Sequence, residues 1–361
     1  MRMLVCAFAA LSITAADRSG AAASADPLPR YEHIFLIILE NRSYEQIIGN
    51  PNASNINRLA MTYGLASQFY AEVHPSEGNY VAMIGGDAFG IHDDDAWYCT
   101  RGNPDRYCGS QTTMRPYPDH TIAARSLVDQ LGARHLSWKG YFESIPAPGS
   151  REVFYPDRAA PVPGVPSELY ASKHNGFINF KSVQDDPELP QKFVGFDRLY
   201  ADLAGANAPN YAHIVPNQCN DMHGLLAPDV PDDCRGGEAV VRRADAVVAQ
   251  LVAAIQMSPV WTGPSNAAVV ITWDEGGSAP PGTPQGCCGF DKDSAANFGG
   301  GHIPTIVITN HGARGRVDDT PYNHYSLLRT TEEALGIDEF LGHANDQALG
   351  VKAMTPLFAV P

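Results

Sequence analysis

Two apolar runs, His33 to Leu39 and Ala267 to Trp273, each end in side chains rich in oxygen: Glu40-Asn41 after the first, Asp274-Glu275-Gly276-Gly277 after the second. Short runs this dense in Ile, Val and Leu read as strands of a sheet covered on both faces. In an open α/β sheet, ligands collect at the carboxyl ends of the strands. A carboxylate leaving a buried strand needs a cation or hydrogen bonds to offset its desolvation. Two such ends therefore point to one shared site, and Glu40, Asn41, Asp274 and Glu275 suit a hard or borderline divalent ion.

Between these runs lies His74-Pro75-Ser76-Glu77-Gly78-Asn79-Tyr80, where a hydroxyl opens an apparent helix. A helix start offers unpaired N–H groups and a positive dipole end, which suit a phosphate or another oxyanion. Serine is also an ordinary N-cap, so Ser76 alone decides nothing. Asn79 is expected to aim its amide at the same anion as an oxyanion donor, with His74 flanking it. A metal touching Ser76 would lower the hydroxyl's pKa and make it a nucleophile. Asp221 and His223, in Asn220-Asp221-Met222-His223, and His324, which opens a helix in Asn323-His324-Tyr325-Ser326, complete the set. His174, in Lys173-His174-Asn175, and His302, in Gly301-His302-Ile303-Pro304, are weaker candidates.

Strand-like and helix-like segments alternate, which predicts an α/β fold with a doubly wound, mostly parallel sheet and helices on both faces. The expected strands are His33 to Leu39, Leu65 to Tyr70, Leu136 to Phe142, Tyr211 to Val215, Ala267 to Trp273 and Ile303 to Thr309. Expected helices include one capped by Ser54, one over Thr121 to Leu131, and a long one over Glu238 to Met257 with an apolar stripe. Residues 87 to 120, which contain Asp93-Asp94-Asp95, and residues 143 to 195 lack lasting periodicity and are expected to form a rim over the strand ends. Residues 26 to 361 read as one catalytic domain.

Arg2, the apolar stretch Leu4 to Ile13 and Ala23-Ser24-Ala25 have the layout of a cleaved secretory signal over residues 1 to 25, implying a secreted or periplasmic protein. No later segment reaches the roughly 18 apolar residues needed to cross a bilayer, so no stable membrane insertion is expected. Without that leader the chain carries 23 Lys+Arg against 39 Asp+Glu, a net charge of −16, which argues against nucleic acid as the partner. Six cysteines remain. Their even number in an exported chain favours disulfides, with Cys99 to Cys108 and Cys219 to Cys234 the preferred local pairs. The adjacent Cys287 and Cys288 are left with a vicinal bond, exchanged partners or free thiols as open alternatives.

Taken in order, these motifs resemble the phosphoesterase family of bacterial and fungal acid phosphatases and phospholipases C, within the alkaline-phosphatase-like superfamily. The likeness runs from Glu32-His33-Ile34 to the helix after Asn323. It implies that Glu40, Asn41, Asp274 and Glu275 hold a divalent metal with Ser76, the residue phosphorylated during turnover. It further implies that Asn79 contacts a phosphoryl oxygen, and that Asp221, His223 and His324 bind phosphate or a second metal. Glu275 stands where two-zinc members of the superfamily have a histidine, and Asp221-Met222-His223 is tighter than their spacing. One firmly bound ion is therefore expected, with the histidines contacting phosphate or acting as acid and base. The expected substrate is a small phosphate monoester. A phospholipase C-type diesterase meeting a lipid head group, and a non-catalytic metal- or anion-binding protein, stay open beside it. Sulfatases of the superfamily carry a Cys/Ser-x-Pro-x-Arg motif, which Ser76-Glu77-Gly78-Asn79-Tyr80 lacks.

Overall fold

The computed structural model describes residues 28–110, 116–157, 167–227, 229–277, 287–288 and 299–359. The leader-like segment 1 to 25 lies outside them. In chain order the strands are β1 (His33–Leu39), β2 (Gly64–Ala71), β3 (Trp138–Phe142), β4 (Phe154–Tyr155), β5 (Tyr170–Ala171), β6 (Phe193–Val194), β7 (Tyr211–Val215), β8 (Ala267–Trp273), β9 (Gly301–Thr309), β10 (Arg316–Asp318) and β11 (Tyr322–Asn323). The main sheet has the order β10-β2-β9-β8-β1-β7-β3-β6, with β11 also on β2, while β4 and β5 form a separate pair. Among the described residues only β9 runs antiparallel to its neighbours in the main sheet; the other pairings are parallel.

The centre of the sheet is buried because its sequence leaves no polar face. Residues Ile34 to Leu39 of β1 and all of β8 are shielded from solvent. Parallel pairing of β1 with β8 sets Leu39 opposite Trp273, so Glu40 and Asp274 emerge level with each other. On the other edge of β1, β7 runs parallel and leads into the loop that carries Asp221. The backbone closes the seam: Asp274 N donates to Leu39 O at 2.9 Å, and Glu40 N to Asp221 O at 2.8 Å.

The helices depart from sequence expectation in two instructive places. The helix expected over Thr121 to Leu131 spans only Leu127–Ala133. Ile122 pairs instead with Phe180 as an isolated parallel bridge, and Ser126 with Asp129 forms the capping box that starts the helix. Ser54 lies inside its helix, Ser54–Thr62, rather than capping it. The free N–H groups of Asn55 and Ile56 are met by buried Asp245 of the long helix Gly237–Met257, at 3.1 and 2.8 Å. A carboxylate at a helix start complements its dipole, and no local sequence signal announces a cap supplied from so far away.

Disulfides join Cys99 to Cys108, Cys219 to Cys234 and Cys287 to Cys288. The aspartate run before the Cys99–Cys108 loop lies against the helix Glu77–Gly85, where Asp94 Oδ1 accepts from Glu77 N. At Gly78 any Cβ would sit 2.3 Å from Ile91 O and 2.6 Å from Val73 Cγ2, so a side chain there would push the rim off the helix. Gly176 similarly lets the chain pass within reach of the Tyr80 backbone, where a Cβ would meet the carbonyl at 2.5 Å.

Candidate active site

Ser76 stands at the N-cap position of Glu77–Gly85, but in helical backbone geometry and with no side-chain cap hydrogen bond. Its hydroxyl donates instead to Glu40 Oε2 at 3.2 Å, in a buried setting. Glu40 is fully buried and also accepts from Tyr80 Oη at 2.7 Å and Asn41 Nδ2 at 3.0 Å. Asn41 adopts a positive φ of 57°, and its N–H donates to Asp274 Oδ1 at 3.2 Å. Four side chains named from the sequence, Glu40, Asn41, Ser76 and Asp274, thus meet around the ends of β1 and β8. Tyr80 belongs to the same set through its hydroxyl, a role that its place in the motif does not signal.

Asp221 and His174 approach Glu40 from the β7 side. His174 Nε2 lies 3.2 Å from Glu40 Oε1, and its Nδ1 lies 3.9 Å from Asp221 Oδ2. Ligand atoms of Glu40, His174 and Asp221 fall within 4.8 Å of one another, close enough to share an ion. The tyrosine ring of Tyr80 stacks on the His174 imidazole at 5.3 Å. Among the described residues, His174 Nε2, Asp221 Oδ2 and Asp274 Oδ2 are buried without a hydrogen-bond partner. Unsatisfied buried polar atoms are costly. Here they are two acids and an imidazole, the donor set that a divalent cation completes.

Electrostatics supports that fit. Burial, with Asp274 and Asp221 nearby, holds the Glu40 carboxyl well above the usual range. Burial does the same to Asp221. Burial and the Glu275 carboxylate push Asp274 up to about 7. Carboxyls crowded this way either keep protons or gain a cation. Glu275 points elsewhere: its Oε2 lies 2.8 Å from His74 Nδ1. Burial opposes the charged form of His74, yet the hydrogen bond and charge of Glu275 outweigh it and raise the imidazole.

The other histidines divide by what their nitrogens touch. His223 Nδ1 donates to Gly224 O at 3.0 Å, because a carbonyl can only accept, and burial holds the ring down at about 4. Its Nε2 then carries a lone pair, suited to a cation or a water rather than to an anion. His324 differs from its expected role. Its Nε2 donates to Trp273 O at 3.0 Å, and Nδ1 lies 2.6 Å from Glu72 Oε2, so both nitrogens tie β8 to the end of β2. His302 is likewise committed, to Ser67 O at 2.9 Å and Glu45 Oε1 at 3.0 Å, with Tyr44 stacked on it. Neither ring has a nitrogen left for phosphate.

Asn79 also departs from expectation. Its Oδ1 accepts from the N–H groups of Glu72 and Val73 at 3.0 and 3.1 Å, and its Nδ2 donates to Val73 O at 2.8 Å. The amide therefore pins the segment between β2 and Ser76 instead of facing an anion. A pattern of serine followed by asparagine three residues on cannot distinguish these orientations.

One buried cluster had no sequence signal. His120 lies between Glu77 Oε1, at 3.1 Å from Nδ1, and Asp93 Oδ1, at 3.2 Å from Nε2. Asn179 Nδ2 adds a hydrogen bond to Glu77 Oε1 at 2.6 Å. Burial raises the Glu77 carboxyl to about 7 although His120 and Asn179 pull it back, and the two acids raise His120 to about 10 against its burial. The cluster anchors the rim to the residue after Ser76.

Comparison with known proteins places this geometry in a lineage. The Phosphoesterase family model matches residues 50–338. The phosphatidylinositol-3-phosphatase of Mycobacterium tuberculosis is 28% identical over 326 residues, covering 90% of this chain and 83% of that protein. The phosphate-repressible acid phosphatase of Penicillium chrysogenum is 26% identical over 309 residues, covering 85% of this chain but 60% of the fungal protein. Among solved structures, a Pseudoalteromonas sulfatase superposes with a TM-score of 0.51 at 12% identity, over 92% of this chain and 72% of its own, a likeness of fold alone. With four-fifths of its length matched, the chain belongs to the Phosphoesterase family.

Proposed function

We propose that this chain is an exported, metal-dependent phosphatase that hydrolyses phosphate monoesters through a phosphoserine intermediate on Ser76. The observation that carries this reading is the Ser76 hydroxyl. It is not used as a helix cap and donates to Glu40 within a nest of buried carboxyls. Glu40, Asn41, Ser76 and Asp274 would hold a divalent ion, with Asp221 and His174 beside it and Glu275 next in the chain, paired with His74. Bound there, the ion would neutralise phosphoryl charge and favour the deprotonated hydroxyl. Phosphoryl transfer leaves the protein chiefly positioning and charge compensation to supply.

In the first step the Oγ–P bond forms as the ester P–O bond breaks. The hydroxyl proton passes to Glu40, its acceptor in the structure, and the departing alkoxide takes a proton from His74, whose imidazolium Glu275 favours. In the second step water attacks the phosphoserine phosphorus from the side the alcohol left and gives a proton to His74, left neutral by the first step, with the Nε2 lone pair of His223 suited to orienting that water. Oγ leaves with the proton held by Glu40, and inorganic phosphate departs. Export is supported by the three disulfides, which persist in oxidising compartments. No helix among the described residues is long and apolar enough to cross a membrane.

A lipid-borne monoester is a second reading, favoured by the name of the mycobacterial relative, whose substrate is a phosphoinositide. The test is a hydrolysis panel on the purified protein: p-nitrophenyl phosphate, bis-p-nitrophenyl phosphate, phosphatidylinositol 3-phosphate and phosphatidylcholine, with and without chelator. Metal-dependent release of phosphate from the monoesters supports the proposal. Exclusive cleavage of phosphatidylcholine or the bis-ester would replace it with the diesterase reading.

A further inference from the structure

Lys173 has drawn no role so far. Its neighbour His174 approaches Glu40, and its own ammonium lies 2.7 Å from Asp94 Oδ2 with the lysine side chain only 12% exposed. An exposed lysine ordinarily keeps its head in water. This one is drawn inward by Asp94, whose other oxygen accepts from Glu77 N at 3.3 Å, at the first residue of the helix behind Ser76. The ammonium is thus linked through one carboxylate to the nucleophile's turn, and through one peptide to the histidine at the Glu40 site.

Through Asp94 the ammonium reaches the helix behind Ser76, and through the adjoining His174 it borders the Glu40 end of the site. The acids Glu40, Asp221, Asp274 and Glu275 gather here, so a dianionic substrate would meet more negative charge than one divalent ion offsets. Arg42, a second cation at the end of β1, hydrogen-bonds the Asn41 carbonyl at 3.0 Å.

We infer that Lys173 is a further substrate-binding residue, its ammonium contacting the phosphoryl oxygens and favouring dianionic phosphate monoesters over monoanionic diesters. Asp94 holds the ammonium in place until the phosphoryl group arrives and shares it. Lysine serves as a mobile point charge for phosphate, without the fixed fork of arginine. This inference rests on the phosphatase reading above and adds the residue that selects among phosphoric esters.

The test compares wild type with Lys173→Met and Lys173→Arg, each checked for metal content and thermal melting. Inorganic phosphate binding to the metal-loaded protein is measured by calorimetry, and kcat and KM on p-nitrophenyl phosphate and its bis-ester. For Lys173→Met the expected result is at least about tenfold weaker phosphate binding and a similar loss of kcat/KM on the monoester, mainly through KM. Loss on the bis-ester should stay under about threefold, with metal content unchanged, and Lys173→Arg should recover most of the phosphate affinity. If Lys173→Met fails to fold, Lys173→Gln is read in its place. Phosphate affinity within about twofold of wild type, or equal losses on both esters, would overturn the inference while leaving the phosphatase reading standing. A wild type that binds no phosphate and cleaves neither ester would overturn both.

Discussion

The Asn41 N–H donates to Asp274 Oδ1 at 3.2 Å, stitching the end of β1 to the end of β8 directly at the proposed metal site. Asp274 is fully buried, and its Oδ2 has no hydrogen-bond partner among the described residues. A change to asparagine keeps the shape but removes the anionic ligand. Asp274→Asn and Glu40→Gln should each weaken metal binding about tenfold or more, read by elemental analysis after dialysis against graded chelator. In the metal-free state both variants should melt no lower than wild type, because removing one of several crowded carboxylates relieves repulsion. Metal content equal to wild type in both variants would remove these residues from the ligand set.

Asn79 should prove a structural residue. Asn79→Ala deprives the Glu72 and Val73 N–H groups of their acceptor and Val73 O of a donor. The expected cost is about 2 kcal/mol of stability by denaturant melting, since buried groups left unpaired are expensive. An oxyanion donor would behave oppositely, with kcat falling steeply and the midpoint of unfolding unmoved.

The strand ends were legible in the sequence because the physics there is local. A mostly apolar run followed by a carboxylate defines both a buried strand and its polar exit in β1 and β8, and β1, β7 and β8 have the bounds that the apolar runs indicate. That Glu40 and Asp274 emerge level follows from parallel pairing, which the alternation of strands and helices already implied. Side-chain orientation was not legible. Asn79 and His324 lie in the expected segments but spend their polar atoms on the end of β2 and on Trp273. Contacts made by the rim were equally hidden, since Asp93 to His120 and Asp94 to Lys173 join stretches without periodicity. Asp245 capping a distant helix is the same lesson within the core.

Glu332 offers a pH test remote from the site. It is buried on the helix His324–Ala334, accepts from Leu341 N at 3.0 Å, and has an Oε2 with no hydrogen-bond partner among the described residues. Burial raises its carboxyl from the ordinary value near 4.5 to about 8. The folded state thus holds a proton that the unfolded chain releases, so its contribution is intact below about pH 4.5 and lost as pH rises through about 8. Glu332→Gln should gain less than about 1 kcal/mol at pH 5 and about 4 kcal/mol at pH 8.5, read from paired denaturant melts. A gain that is the same at both pH values would contradict a raised carboxyl.

The most direct test of the phosphoserine route is to trap the intermediate. Wild-type protein mixed with ³²P-labelled monoester and quenched in acid within the first turnover should yield a labelled peptide containing Ser76. Ser76→Ala should give no label and at least about 10³-fold lower kcat, with its melting point nearly unchanged because no cap bond is lost. Label on His74, His174 or His223, or a Ser76→Ala protein that keeps its turnover, would contradict the assignment.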